Sequence, residues 1–245
     1  MDPFAPVPAP SAAAVKPTKD VCTKLNAVAP ALVQDFDTKY ASWKKTWFNN
    51  GNKDSANAAT RASGTEFEAL VALGQKTLPL VVNQLASGED FIAVVLYNKL
   101  ETDMIYKLDP QDLLNSKKAA VDIIDMNFDR NIEVKKARDR WAEFRVERQN
   151  YSSSGHFCEG EGYWAMTTLG SSIIAQVMLE YYDDKNGWWH ELLHELVHGR
   201  RSGASVFFKP VLFEEWKDWF EHKEHKEAPE GEDQRARRGH GPGRE

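Results

Sequence analysis

Apolar residues recur at intervals of three and four over most of the chain, the spacing that lines one face of an α-helix. After Pro30, the residues Leu32, Val33, Phe36, Tyr40, Trp43 and Trp47 form one such stripe across 31–48. A capped, Ala-rich turn is predicted at 55–61, followed by a helix that opens at Thr65-Glu66-Phe67-Glu68 and ends at Gly74. Further helices are predicted at 76–86, 89–101, 110–126, 131–149, 160–169, 171–182, 186–198 and 209–222. Strand-like alternation is confined to Val206-Phe207-Phe208. The pattern therefore predicts an all-α protein.

A longer regularity lies over the short one. The segment Phe67 to Gly74 lines up with Tyr163 to Gly170, and beyond the shared Leu-Gly, Leu78, Val81 and Val82 match Ile174, Val177 and Met178. With one inserted residue, Phe91-Ile92 falls on Trp188-Trp189, Val95-Leu96 on Leu192-Leu193, and Leu100 on Val197. Each copy is expected to close with an aromatic helix, carrying Trp141 and Phe144 in the first and Trp216 and Trp219 in the second. An extra helical stretch at 108–130 lengthens the first copy. A unit of this size buries little alone, and a second copy completes its core.

A Leu-Gly corner followed by an apolar helix resembles the helical pairs of HEAT and armadillo-like repeat proteins. It also resembles a widespread uncharacterised module that ends in a Trp-rich helix. The resemblance covers 64–102 and 160–222. It implies two copies of a HEAT-like helical unit, forming a compact α-α bundle or short solenoid, and a binding habit rather than a chemistry. The expected organisation is a Pro/Ala-rich disordered tail at 1–20, a helical domain with the first copy and its insert at 21–150, the second copy at 151–222, and a charged disordered tail at 223–245.

Composition narrows the setting. With 245 residues, 42% of them apolar and 28% charged, the chain can bury a proper core. It has no run of about 20 apolar residues, so no membrane span is expected. A net charge of −6 argues against general affinity for nucleic-acid phosphates. The mixed charges of Arg130 to Asn150 read as a solvated helix face. Two distant cysteines, Cys22 and Cys158, form no disulfide framework, which points to a reducing, intracellular and cytoplasmic setting. The stretch Phe4-Ala5-Pro6-Val7-Pro8-Ala9-Pro10 has neither the basic start nor the apolar core of a secretory signal. It reads as an extended polyproline-like tail or, more sharply, as a Pro-rich docking peptide.

One motif carries candidate chemistry. His190-Glu191-Leu192-Leu193-His194-Glu195-Leu196-Val197-His198 contains His-Glu-x-x-His twice, overlapping at His194. Histidines four apart on a helix stand one turn above each other and can grip one zinc ion, with the Glu polarising its water. Twenty residues after His194, Glu214 opens Glu214-Glu215-Trp216-Lys217-Asp218. This is similar to the third-ligand helix of thermolysin-like gluzincins. The resemblance implies His190, His194 and Glu214 as zinc ligands, Glu191 as general base, and Asp218 as the residue orienting a ligand histidine. The same string is also what an amphipathic helix produces, with Trp189, Leu192, Leu193, Leu196 and Val197 inward and its His and Glu residues in solvent. The aligned residues of the first copy, Ala93, Val94 and Tyr97, include no ligand, so the helix has a structural task that needs no metal.

Eight tryptophans suit core packing, with Trp188, Trp189, Trp216 and Trp219 as candidates for a partner groove. His156, Cys158, Glu159 and Glu161 read as a loop before a helix. No phosphate-binding glycine loop and no nucleophile elbow is present. The favoured expectation is a non-enzymatic helical-repeat protein that binds another protein or a small ligand, with no cofactor. The alternative is a zinc metallopeptidase built on the second copy.

Overall fold

The computed structural model describes residues 7, 9–47, 58–88, 90–148, 150–151, 154–203 and 208–230. Among them all regular structure is helical and no strand occurs. Val206 and Phe207 lie outside the described residues, and Phe208 belongs to a helical turn. No helix is long and apolar enough to cross a membrane.

By its internal contacts the chain divides between Ile132 and Glu133. The first unit contains α1 (Ala12–Val28), α2 (Pro30–Thr46), α3 (Thr65–Val71), α4 (Leu78–Ala86), α5 (Val94–Leu100) and the beginning of α6 (Ser116–Glu147). Here α1 packs on α4 and α2, α2 on α3, and α5 on both α3 and α4. The core holds Leu25, Leu32, Phe36, Trp43, Phe67, Leu70, Val81 and Leu96, which are the stripe residues of their helices. Pro30 and Pro79 sit in first turns, where a missing N–H is an orphan anyway. The second unit contains the rest of α6, α7 (Glu161–Thr168), α8 (Ile174–Asp183), α9 (Trp189–His198) and α10 (Lys209–His222). In it α9 packs on α7, α8 and α10.

The two units repeat one local design, and it begins one helix earlier than the sequence pattern suggests. Trp43 on α2 donates its indole N–H to the Arg61 carbonyl at 2.9 Å, and Trp141 on α6 does the same to the Phe157 carbonyl at 2.6 Å. Three residues beyond each carbonyl stands a glycine with positive φ, Gly64 at 97° and Gly160 at 87°, from which the next helix starts. Each tryptophan then meets an aromatic on that helix, with Trp43–Phe67 and Trp141–Tyr163 ring centres both 5.3 Å apart and tilted. Trp141 is thus the counterpart of Trp43. The expected pairing of the Trp141 helix with the Trp216 helix as two closing helices is corrected by this geometry.

Three further expectations change. Residues 12–28 form a helix, although the Pro/Ala-rich stretch predicts a tail as far as residue 20. The Ser11 hydroxyl caps this helix by accepting the Ala14 N–H at 3.1 Å, and the alanines of its first turn favour helical backbone. The separate helices expected at 110–126 and 131–149 are joined in the single helix α6. No Gly or Pro interrupts 116–147, and the buried stripe Ala120, Ile123, Ile124, Asn127, Arg130, Val134, Ala137, Trp141 runs through without a break. Two of its members are polar, which hides its continuity in the sequence. The unit division consequently falls inside a helix, ahead of the Ser-rich stretch where the second copy was expected to begin. Finally, the chain from 223 to 230 is ordered against the second unit. Trp219 donates to the Glu224 carbonyl at 3.0 Å, Glu224 and Glu227 form a capping box, and Ala228 is buried. The remainder of that expected tail, 231–245, lies outside the described residues.

Each unit contains one cysteine. Cys22 on α1 donates its thiol to the Pro79 carbonyl at 3.3 Å, and Cys158 is buried beside Tyr163. Burial pushes both thiols up to about 12. A raised pKa leaves little thiolate on either at neutral pH, although Cys22 is only half-buried.

Candidate functional site

The motif helix α9 presents only the end of its polar face, at His198, to solvent. His190, Glu191 and His194 are buried, which corrects the expectation of an exposed Glu/His face. The cover is the chain's own next segment. Gly199 ends α9 in the left-handed conformation, φ 70° and ψ 14°, and sends residues 200–203 back along the helix. Glu191 accepts the backbone N–H groups of Ser202 at 2.7 Å and Gly203 at 3.1 Å. The His194 Nδ1 lies 2.6 Å from the Arg200 carbonyl. A carbonyl can only accept, so the ring carries its proton on Nδ1, and burial keeps its pKa below the usual imidazole value. Glu195 accepts the Tyr163 hydroxyl at 2.6 Å, and the His198 Nε2 meets the Pro229 carbonyl at 2.9 Å. Four of the motif's five polar side chains thus bind other parts of the second unit, three of them the α9–α10 connection or the segment after α10.

His190 is the exception. It lies near the rings of Trp188 and Tyr181, at centre distances of 5.6 and 6.4 Å. Among the described residues, neither of its ring nitrogens finds a hydrogen-bond partner. Burial first, and then the nearby Lys209 ammonium, push its pKa down to about 3. The Gly187 backbone opposes this shift. Lys209 itself donates to the Asn186 carbonyl at 2.6 Å and stands 3.7 Å over the Trp188 ring.

The zinc set that the gluzincin resemblance implies is only partly prepared in these positions. An Nδ1 bound to a carbonyl is how metal-ligating histidines are commonly oriented, and His194 has that feature. The other members do not join it. Glu214 is exposed on α10, on an open surface with Pro210, Val211, Glu215 and Asp218. Asp218 is exposed too and pairs with Lys223 at 2.5 Å, rather than orienting a histidine. Glu191 is committed to two backbone donors, and the Lys209 ammonium is close enough to His190 to disfavour a second positive charge there. Among the described residues, no three His, Cys, Asp or Glu side chains are grouped to hold a metal ion. The residues do not fit a zinc centre.

Glu191→Ala should therefore act as a structural variant. It leaves two N–H groups without their charged acceptor, at an expected cost of about 2–3 kcal/mol. Urea denaturation measures that cost, and amide exchange at Ser202 and Gly203 should accelerate. Unchanged exchange at both amides would contradict the clamp.

The four tryptophans named as groove candidates, Trp188, Trp189, Trp216 and Trp219, are all buried. Trp189 stands edge-on to Trp141 at 4.9 Å and Trp216 edge-on to Trp219 at 5.2 Å, so they are core. The exposed tryptophan is Trp164 on α7, 58% accessible. It falls beside the stripe of Tyr163 and Met166 rather than on it. His156 lies against Tyr151, with ring centres 4.5 Å apart and tilted, and is not among the groups acting on Cys158.

The first unit contains a polar cluster that sequence reasoning missed. Glu101, with a fully buried side chain, receives Arg130 Nη2 at 2.6 Å. Its carboxylate also accepts the backbone N–H groups of Thr102 and Asp103, each at 2.9 Å, and the Tyr97 hydroxyl at 3.2 Å. Asn127 donates to the Tyr97 hydroxyl at 3.0 Å, and the Arg130 guanidinium lies 3.8 Å from the Tyr106 ring centre. Above this base the chain turns tightly, with the Ile105 N–H on the Asp103 side chain at 2.9 Å and the Tyr106 N–H on the Asp103 carbonyl at 3.1 Å. At the tip stand Met104 and Ile105, 77% and 79% exposed. The available signal was Tyr97 and Glu101 one helical turn apart, together with an arginine on an apolar stripe.

The chain matches no family model, no curated protein and no solved structure.

Proposed function

We propose that the protein is a non-enzymatic helical-repeat scaffold that binds another protein, and that the turn carrying Met104 and Ile105 is its contact point. The observation that supports this reading is the combination of a rigid base with an apolar tip. A buried ion pair is costly to assemble and contributes little net stability compared with apolar packing. Here it positions a turn whose two aliphatic side chains, Met104 and Ile105, stand in solvent, which is the arrangement of an interface anchor. The motif helix supports the same reading from the other side, because its polar groups are used in holding the chain's own loop.

The test is site-specific photo-crosslinking in cells that make the protein, with the photoreactive residue at position 104 and a control at position 24, exposed on α1. A discrete adduct at 104 that is absent at 24, and that disappears in Arg130→Ala, is the expected result. An adduct that persists when Arg130 is removed would contradict the role of the turn. Zinc analysis of the purified protein separates the scaffold from a metallopeptidase. The scaffold is expected to carry substoichiometric zinc and to melt at the same temperature with or without chelator.

A further inference from the structure

The first unit has an apolar groove in which part of this same chain already sits. Leu85 near the end of α4, Phe91 in the turn before α5, and Val121 and Ile124 on α6 form its floor and sides. Val7, Ala9 and Pro10 form its remaining wall. Between them lies a half-open cavity of about 340 Å³, with the Lys117 ammonium 5.7 Å from the Phe91 ring at the rim.

The segment has a defined chemistry. In Pro6-Val7-Pro8-Ala9-Pro10 every second residue is proline, which fixes φ and biases each preceding residue towards extended backbone. Ser11, the next residue, has φ −64° and ψ 143°, the polyproline II conformation. Val7 and Pro10 are half-buried while Ala9 is exposed. The segment is short and forms only one wall of the cavity beside it.

We propose that this groove is a docking site for an extended, proline-rich apolar peptide, and that the Val7–Pro10 segment is its internal occupant. The inference deepens the scaffold reading by giving it a ligand class, and it rests on that reading. A preformed polyproline II peptide loses little entropy on docking, and an apolar slot beside an aromatic ring is the usual kind of receptor for it. The tethered segment competes at an effective concentration of the order of millimolar, so an external peptide has to displace it.

The probe is a fluorescent peptide with the sequence of residues 1–12, titrated into the full chain and followed by anisotropy. The full chain is expected to bind it weakly. Val7→Asp, which unseats the internal copy from a position outside every helix, should bind it roughly tenfold more tightly or better. Adding Val121→Glu on the groove wall should abolish that gain, and a probe with its prolines replaced by alanine should not bind. Melting temperatures of the variants confirm that the fold is intact. Equal binding by the unaltered chain and Val7→Asp would overturn the proposal, as would an unaffected Val121→Glu double variant. Failure here together with a discrete adduct at position 104 would reject the groove and leave the scaffold reading standing. Failure of the crosslink with success here would reject the turn alone.

Discussion

Arg130→Ala should destabilise the first unit by about 3–5 kcal/mol, because it leaves the Glu101 carboxylate buried without its cation. Two backbone N–H groups and a hydroxyl stay on that carboxylate, and none of the three carries charge. Thr102 and Asp103 should exchange their amide protons faster, and the Met104–Ile105 tip should lose its fixed position. Removing both charges together, as Glu101→Met with Arg130→Met, should recover most of the loss, since an apolar pair of similar volume avoids the desolvation of two ions. Denaturant melts of the two single variants and the double variant measure the coupling directly. A single variant within about 1 kcal/mol of the parent would mean that the pair is hydrated in solution.

Acid should unfold the second unit in a manner governed by His190. Its pKa lies far below the usual imidazole value near 6.5, at about 3, so the unfolded chain takes up a proton that the native chain refuses. The neutral ring's contribution is fully present above pH 6.5 and is lost as pH falls towards 3. The slope is about 1.4 kcal/mol per pH unit, which sums to about 5 kcal/mol across that window. His194 adds to the trend in the same direction. His190→Phe keeps a flat ring between Trp188 and Tyr181 and removes the titration. The stability difference between this variant and the parent should therefore widen steadily below pH 6. The two nitrogens it removes have no hydrogen-bond partner among the described residues, so at pH 7.5 the variant should be as stable as the parent or more so. A large loss at pH 7.5 would indicate a polar or metal partner for His190.

Much of the helical layout was legible, and the failures share a cause. Spacing identifies which residues share a face, as with Leu32, Phe36, Tyr40 and Trp43 on α2, all buried. It does not say what covers the opposite face. On α9 the neighbouring helices cover one side and residues 200–203 cover Glu191 and His194 on the other, and no periodicity within the helix encodes that loop. Arg130 illustrates the converse problem. It occupies a core position on an otherwise apolar stripe, and a reading by residue type places it in solvent, although Glu101 waits for it 29 residues earlier. The copy boundary was hidden by unequal loops, because the stretch between Trp43 and Gly64 differs in length from that between Trp141 and Gly160. Trp164 needed only stricter use of the pattern, since the α7 stripe passes through Tyr163 and Met166 and leaves it outside.

The placement of the two thiols has a practical consequence. Each unit carries a single cysteine, expected to react slowly while its helices stay packed and faster once they part. An alkylating reagent therefore reads two independent clocks in one unmodified molecule. Modification of Cys22 times the opening of α1 from α4, and modification of Cys158 times the loosening of the turn ahead of α7. Separating the labelled peptides by mass would show which half of the chain opens first, with no engineered probe in either.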